Sequence, residues 1–119
     1  FVHESNVCGG NYYTSNGIIK SPNYPASYPS NLDCTWKIIV PSGQQILLNV
    51  TDFELESYRS CQFDLLEIRD GSTSHSPLIG KYCSVIPKLI PSHANELYLH
   101  FKTDGFITRR GFKIRWSSA

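Results

Sequence analysis

The stretch FELESYRSCQFDLLEIRD, residues 53 to 70, sets five carboxylates, Glu54, Glu56, Asp64, Glu67 and Asp70, among strand-forming apolar residues and a cysteine. Acids crowded in this way are either ordinary solvated strand positions or a set that converges on a cation. Ca²⁺ is a hard ion that takes about six to eight oxygen ligands, so three carboxylates from separate loops, completed by carbonyls and water, can hold it. Asp64 shares the parity of Leu66 and Ile68, which places it on an inward-pointing row at the start of a strand. A carboxylate there without a partner is costly, and several together resist ionisation unless a divalent ion removes the repulsion. The competing account is an ion-pair cluster with Arg59, Lys102, Arg109 or Arg110.

Other chemistries find less support. The histidines, His3, His75, His93 and His100, show no HExxH spacing, and no G-x-S-x-G elbow accompanies them. Ser74 precedes His75 in a turn-like run, where adjacency in sequence says nothing about a catalytic arrangement. The expectation is that the chain is not an enzyme.

The elements that must position these residues read as strands. Apolar alternation recurs in short runs divided by Pro, Gly, Asn and Ser, and no segment keeps a helical period long enough for a helix. Cys34, Trp36, Ile38 and Val40 share one parity, as do Ile46, Leu48 and Val50, then Leu97, Leu99 and Phe101, then Phe112, Ile114 and Trp116. Each set is expected to be the buried face of a strand, with Lys37, Asn49, Tyr98, His100, Lys113 and Arg115 facing water. The intervening SPNYPASYPS (21 to 30), PSGQ (41 to 44) and RDGSTSHSP (69 to 77) are loops. Many short strands in 119 residues favour an all-β, two-sheet sandwich, with residues 1 to 7 as a linker and 8 to 119 as a single domain.

Four cysteines, Cys8, Cys34, Cys61 and Cys83, stand far apart with no CxxC pair, which disfavours zinc or thioredoxin-like chemistry. Three pairings are open, and the sequential one, Cys8 with Cys34 and Cys61 with Cys83, is expected because it closes two local loops. Each bridge would contribute about 3 kcal/mol on the chain-entropy model. Disulfides imply an oxidising compartment, and the sequon Asn49-Val50-Thr51 agrees with secretion and N-glycosylation. A net charge of +1 is too weak a field for nucleic acid or an anionic membrane. No run approaches the roughly 18 apolar residues of a membrane span, so no direct membrane insertion is expected. The start at Phe1 and the absence of Met suggest a piece of a longer protein with neighbouring domains.

CGG at Cys8, GIIKSPNYPASYP (17 to 29), CTW at Cys34, CQFDLLEIRDG from Cys61, GKYC ending at Cys83 and GFKIRW from Gly111 together resemble the CUB domain family. The match runs from Cys8 to Trp116 and is most similar to the tandem CUB repeats of large endocytic receptors. The resemblance implies a jelly-roll-like β-sandwich and the same sequential disulfides. It also implies a Ca²⁺ site of the kind found in a subset of these domains. Its ligands would be Glu56, five residues before Cys61, Asp64, three after it, and Asp104 in FKTD. Tyr28 would hydrogen-bond one of those acids, or pack under the proline-rich loop. Where the family often carries a small polar residue after the last acid, this chain has Gly105, Phe106 and Ile107. Phe106 still offers its backbone carbonyl to the ion.

The function so implied is a non-catalytic, extracellular, Ca²⁺-dependent protein-binding module. Glu56, Asp64 and Asp104 would receive a Lys or Arg of the partner by charge-assisted hydrogen bonds, with Phe106 and Ile107 as an apolar rim. Asp52, Glu54, Glu67 and Asp70 do not match that pattern and are read as solvated strand or turn positions. Two alternatives are a metal-independent structural or adhesive repeat that uses the sandwich faces, and glycan recognition on Tyr12, Tyr13 or Tyr58.

Overall fold

A computed structural model describes residues 8–57, 61–104 and 107–119. The expected linker 1–7, Tyr58, Arg59 and the Phe106 carbonyl lie outside the described residues. The described chain is all β, as the alternation implies. In order the strands are β1 (Gly9–Tyr12), β2 (Asn16–Lys20), β3 (Asp33–Ile39), β4 (Ile46–Glu54), β5 (Leu65–Asp70), β6 (Leu78–Tyr82), β7 (Leu89–Pro91), β8 (Glu96–Lys102) and β9 (Gly111–Ser118). They form a five-stranded sheet in the order β1-β3-β8-β5-β6 and a four-stranded sheet in the order β2-β9-β4-β7. β1 runs parallel to β3, while the other described pairs are antiparallel.

The two sheets close over one core. All four inward sets expected from parity are buried, Ile38, Leu48, Leu97, Leu99, Phe101, Phe112 and Ile114 without measurable exposure. Phe112 is the aromatic hub of this layer. Its ring meets Phe101 edge-on at 5.0 Å and Trp36 edge-on at 5.7 Å, and stacks on Phe53 at 6.3 Å. Tyr28, from the loop between β2 and β3, stands edge-on to Phe101 at 5.2 Å. Such pairs add about 0.5–1.5 kcal/mol beyond the area they bury. The disulfides are Cys8–Cys34 and Cys61–Cys83, with Cα separations of 4.9 and 5.4 Å.

An irregularity in β4 decides which way its acids point. Val50 pairs with Ile114 and Asp52 with Lys113, so Thr51 is skipped in the register. One extra residue reverses the two-residue alternation. Strict continuation of Ile46, Leu48 and Val50 would have turned Asp52 and Glu54 into the core. Beyond the bulge Phe53 and Leu55 take the inward positions instead, Phe53 against the core and Leu55 fully within it.

Two outward expectations need correction. Tyr98 is on the outer face of its sheet yet only 9% exposed, because its cross-strand neighbours are Lys37 and Arg69, whose long stems cover the ring. Glu67, read as solvated, is also 9% exposed and ion-paired with Arg69 at 2.6 Å, while His100 beside it reaches Asp33 at 2.5 Å. Lys37, Asn49, His100 and Lys113 are half-buried and Arg115 is exposed.

Phe101 joins the Tyr28 loop to the aromatic hub, so Phe101→Ala removes two edge-on contacts and leaves a cavity at the sheet centre. Its expected cost is about 3–5 kcal/mol, read as the shift in the urea unfolding midpoint at constant slope.

Candidate metal centre

Three chain segments reach one end of the sandwich. Asp64 immediately precedes β5 and Asp104 lies two residues past the end of β8; because Leu65 pairs with Lys102 in antiparallel register, both acids emerge at the same end. Glu56 comes from the other sheet, two residues past the end of β4. One carboxylate oxygen from each of Glu56, Asp64 and Asp104 lies within 4.8 Å of the others. The sequence separates these residues by up to 48 positions, and the strand pairing removes that separation.

The loop between β2 and β3 is fastened to the same end. The Asn31 N–H donates to the Asp104 carbonyl at 2.8 Å, the Thr103 N–H to the Leu32 carbonyl at 3.1 Å, and the Leu32 N–H to Thr103 Oγ1 at 2.8 Å. Tyr28 thereby sits beneath the acids with 1% exposure. Its hydroxyl donates to Asp64 Oδ2 at 2.5 Å and accepts from the Glu56 N–H at 3.1 Å. Asp64 Oδ1 accepts from the Asp104 N–H at 3.0 Å. A single phenol thus ties the β4 and β5 ends together across the two sheets. Gly111 allows the loop that follows Ile107 to close over this ring. Its φ is +89°, and a Cβ there would collide with Ser21 Oγ, the atom that accepts the Phe112 N–H at 3.0 Å.

The electrostatics of the end are unfavourable for three anions alone. Asp64 has no exposure and Glu56 is 4% exposed. Burial, with Asp104 and Glu56 nearby, pushes the Asp64 carboxyl above its ordinary range even though Tyr28 and the Asp104 N–H oppose the shift. Burial and the bond to Asp64 likewise push the Tyr28 phenol far up, so it remains a donor. Glu56 Oε1 is buried without a hydrogen-bond partner among the described residues. Among the described residues neither Lys102 nor Arg109 is ion-paired with Glu56 or Asp64, and Arg59 lies outside them. Arg110 is committed elsewhere, to Asp52 at 2.7 Å and Glu54 at 3.0 Å. An all-oxygen, carboxylate-rich set with one buried oxygen still unbonded fits a hard divalent cation. A shallow cavity of about 380 Å³ beside these acids is lined by Glu56, Ser57, Ile107 and Arg109, with Ile107 49% exposed.

Residues 8–116 match the family described as the CUB domain. This chain is a CUB domain. It is 46% identical to cubilin of Rattus norvegicus over 99% of the chain, and 41% identical to bone morphogenetic protein 1 of Xenopus laevis over 97% of it. The chain spans only 3% and 16% of those two proteins, respectively. Among solved structures, the MASP-1 CUB2 domain bound to Ca²⁺ superposes with a TM-score of 0.81 at 25% identity, covering 91% of this chain and 96% of that one. The full extracellular region of zebrafish Gpr126/Adgrg6 gives a TM-score of 0.82 at 27% identity, covering 92% of this chain and 14% of that one. CUB domains are generally non-catalytic binding modules of multidomain extracellular proteins, and this one is extracellular. No helix among the described residues is long and apolar enough to cross a membrane.

Several functional-looking residues resolve differently from their sequence reading. Asp52 is the acceptor of a three-group cluster: Tyr24 donates to it at 2.5 Å and Arg110 chelates both its oxygens at 2.7 Å. The sequence signal was present in NYPASYP, whose two tyrosines, Tyr24 and Tyr28, each find an aspartate. Asp70 accepts the N–H groups of His93 and Ala94 and so fastens the turn before β8. Of the tyrosines weighed as a sugar platform, Tyr12 packs on Trp116 at 5.2 Å and Tyr13 is exposed. Ser74 and His75 are 3.5 Å apart on the exposed turn between β5 and β6.

Two outcomes follow from these contacts. Tyr28→Phe leaves the Glu56 N–H and the buried Asp64 without the hydroxyl, an expected cost of about 1–3 kcal/mol in denaturant unfolding. Arg110 holds the Asp52 carboxyl at about 2, below the ordinary 3.8. A depressed carboxylate stabilises the fold above its unfolded pKa, and this contribution is lost as pH falls from about 4 to about 2. Arg110→Gln is therefore less stable than the parent at neutral pH, and the gap closes over that acid window in parallel pH-dependent melts.

Proposed function

We propose that this CUB domain is a Ca²⁺-dependent protein-binding module whose acidic end receives a Lys or Arg side chain of a partner. The observation that carries the proposal is the convergence of Glu56, Asp64 and Asp104 on one largely buried point, where Glu56 Oε1 has no hydrogen bond among the described residues. Those three carboxylates would hold the ion, with the Phe106 carbonyl as a further donor. The bound ion supplies the positive charge that lets three adjacent acids stay ionised together.

The chain's own residues do the rest. Tyr28 fixes the Asp64 carboxylate, and through its oxygen the backbone of Glu56, so the acidic end is ordered before a partner arrives. Preorganisation spares the partner that ordering cost. Carboxylate lone pairs not taken up by the ion would accept charge-assisted hydrogen bonds from an ammonium or guanidinium group, and the exposed Ile107 would supply apolar contact beside them. The Ca²⁺-bound MASP-1 CUB2 domain, alike in fold over most of its length, supports the reading.

Calorimetric titration of the chelator-treated domain is expected to give one saturable Ca²⁺ site with a dissociation constant of about 10⁻⁴ to 10⁻³ M. Asp104→Ala is expected to abolish it. Because protons compete for the same carboxylates and Asp64 is already raised, affinity is expected to fall as the pH is lowered. No heat and no rise in melting temperature at several times the upper value of about 10⁻³ M would retire the metal and leave a metal-independent CUB module.

A further inference from the structure

The outward face of the four-stranded sheet is far from solvated in character. Ile18, Arg115, Asn49 and Leu89 are successive cross-strand neighbours on β2, β9, β4 and β7, and Leu47 shares their face. They line a groove of about 430 Å³, within the range of about 300–1,000 Å³ that holds small ligands. Ile18 is 42% exposed, Leu47 37% and Leu89 53%, so three aliphatic side chains surround one amide in open water. The outer face of a two-layer antiparallel fold is ordinarily polar.

Asn49 stands at the middle of this row and opens the sequence Asn49-Val50-Thr51. Its Oδ1 is buried and makes no hydrogen bond among the described residues. Asn49 itself lines the groove. We infer that Asn49 carries an N-linked glycan and that its first N-acetylglucosamine lies in this groove, covering Ile18, Leu47 and Leu89.

The chemistry is a simple group transfer. Asn49 Nδ2 forms a bond to the anomeric carbon of the first sugar of a lipid-pyrophosphate-linked oligosaccharide. The bond from that carbon to the pyrophosphate oxygen breaks, the lipid pyrophosphate leaves with the electron pair, and one amide proton is given up to a base of the transferring enzyme. In the folded chain Thr51 Oγ1 donates to the Lys113 carbonyl at 2.8 Å and Asn49 is held between β9 and β7, so transfer precedes the joining of β4 to the sheet. After folding, the apolar face of the pyranose ring covers the aliphatic side chains, and Arg115, exposed alongside, donates to sugar oxygens. A glycan seated there also closes this sheet face to a flat protein partner. It thereby favours the acidic end over the sandwich face as the binding surface.

The test uses the whole chain secreted from a glycosylating eukaryotic cell, with labelled Ile and Leu methyl groups. Three forms are made from one folded sample: intact, trimmed by an endoglycosidase to a single N-acetylglucosamine, and cleared by a peptide N-glycosidase. Mass spectrometry is expected to find Asn49 modified. The Ile18 and Leu89 methyl signals are expected to be the same in the intact and trimmed forms and to shift when the last sugar is removed. The glycosidase hydrolyses the side-chain amide and leaves a carboxylate at position 49, so Asn49→Gln, which receives no sugar and adds no charge, separates the two effects: its Ile18 and Leu89 signals are also expected to depart from those of the intact and trimmed forms. An unmodified Asn49 overturns the proposal, and so do Ile18 and Leu89 signals indifferent to loss of the last sugar.

Discussion

A carboxylate buried without exposure must be compensated, and the end of this sandwich is organised around that requirement at Asp64. Tyr28 donates to one of its oxygens and the Asp104 backbone to the other, while the same phenol accepts from the Glu56 backbone. The two sheets and the β2–β3 loop are tied to each other by these few bonds. Since Tyr28 rests on Phe101, and Phe101 on Phe112, the polar end is continuous with the aromatic core. The acidic end is therefore anchored to the core beneath it.

Most acids in and beside the crowded stretch fall into two electrostatic classes. Asp52 and Glu54 face outward past the Thr51 bulge and share Arg110, which satisfies them without any ion. Glu67 pairs with Arg69 on the opposite sheet. Glu56 and Asp64 are buried with no cationic side chain paired to them among the described residues. Similar side chains a few residues apart thus differ because one bulge and one strand end turn them into different surroundings. Desolvation raises Asp64, whereas the guanidinium of Arg110 lowers Asp52.

The faces of the molecule have contrasting characters. The outer face of the five-stranded sheet is a network of ion pairs and covered polar groups, centred on Glu67, Arg69 and His100. The outer face of the four-stranded sheet is a groove with aliphatic walls around an amide. The acidic end is the third surface, where charge is concentrated and the apolar Ile107 lies beside it.

The sequence by itself determined the all-β class and the inward faces of β3, β4 up to Val50, β8 and β9, and favoured the sequential disulfide pairing, while the resemblance to the family singled out the acids that meet at the end of the sandwich. Parity and spacing are local properties, and the ordered motif set from Cys8 to Trp116 is dense enough to carry the family. Tertiary structure alone decided that Tyr98 and Glu67 are covered, that Tyr24, Asp52 and Arg110 form one cluster, and that Asn49 lies in a groove. Each of these depends on which residue of one strand faces which residue of another, often tens of positions away. A two-residue alternation does not reveal where the extra residue of a bulge is inserted, and only the pairing of β4 with β9 places it at Thr51.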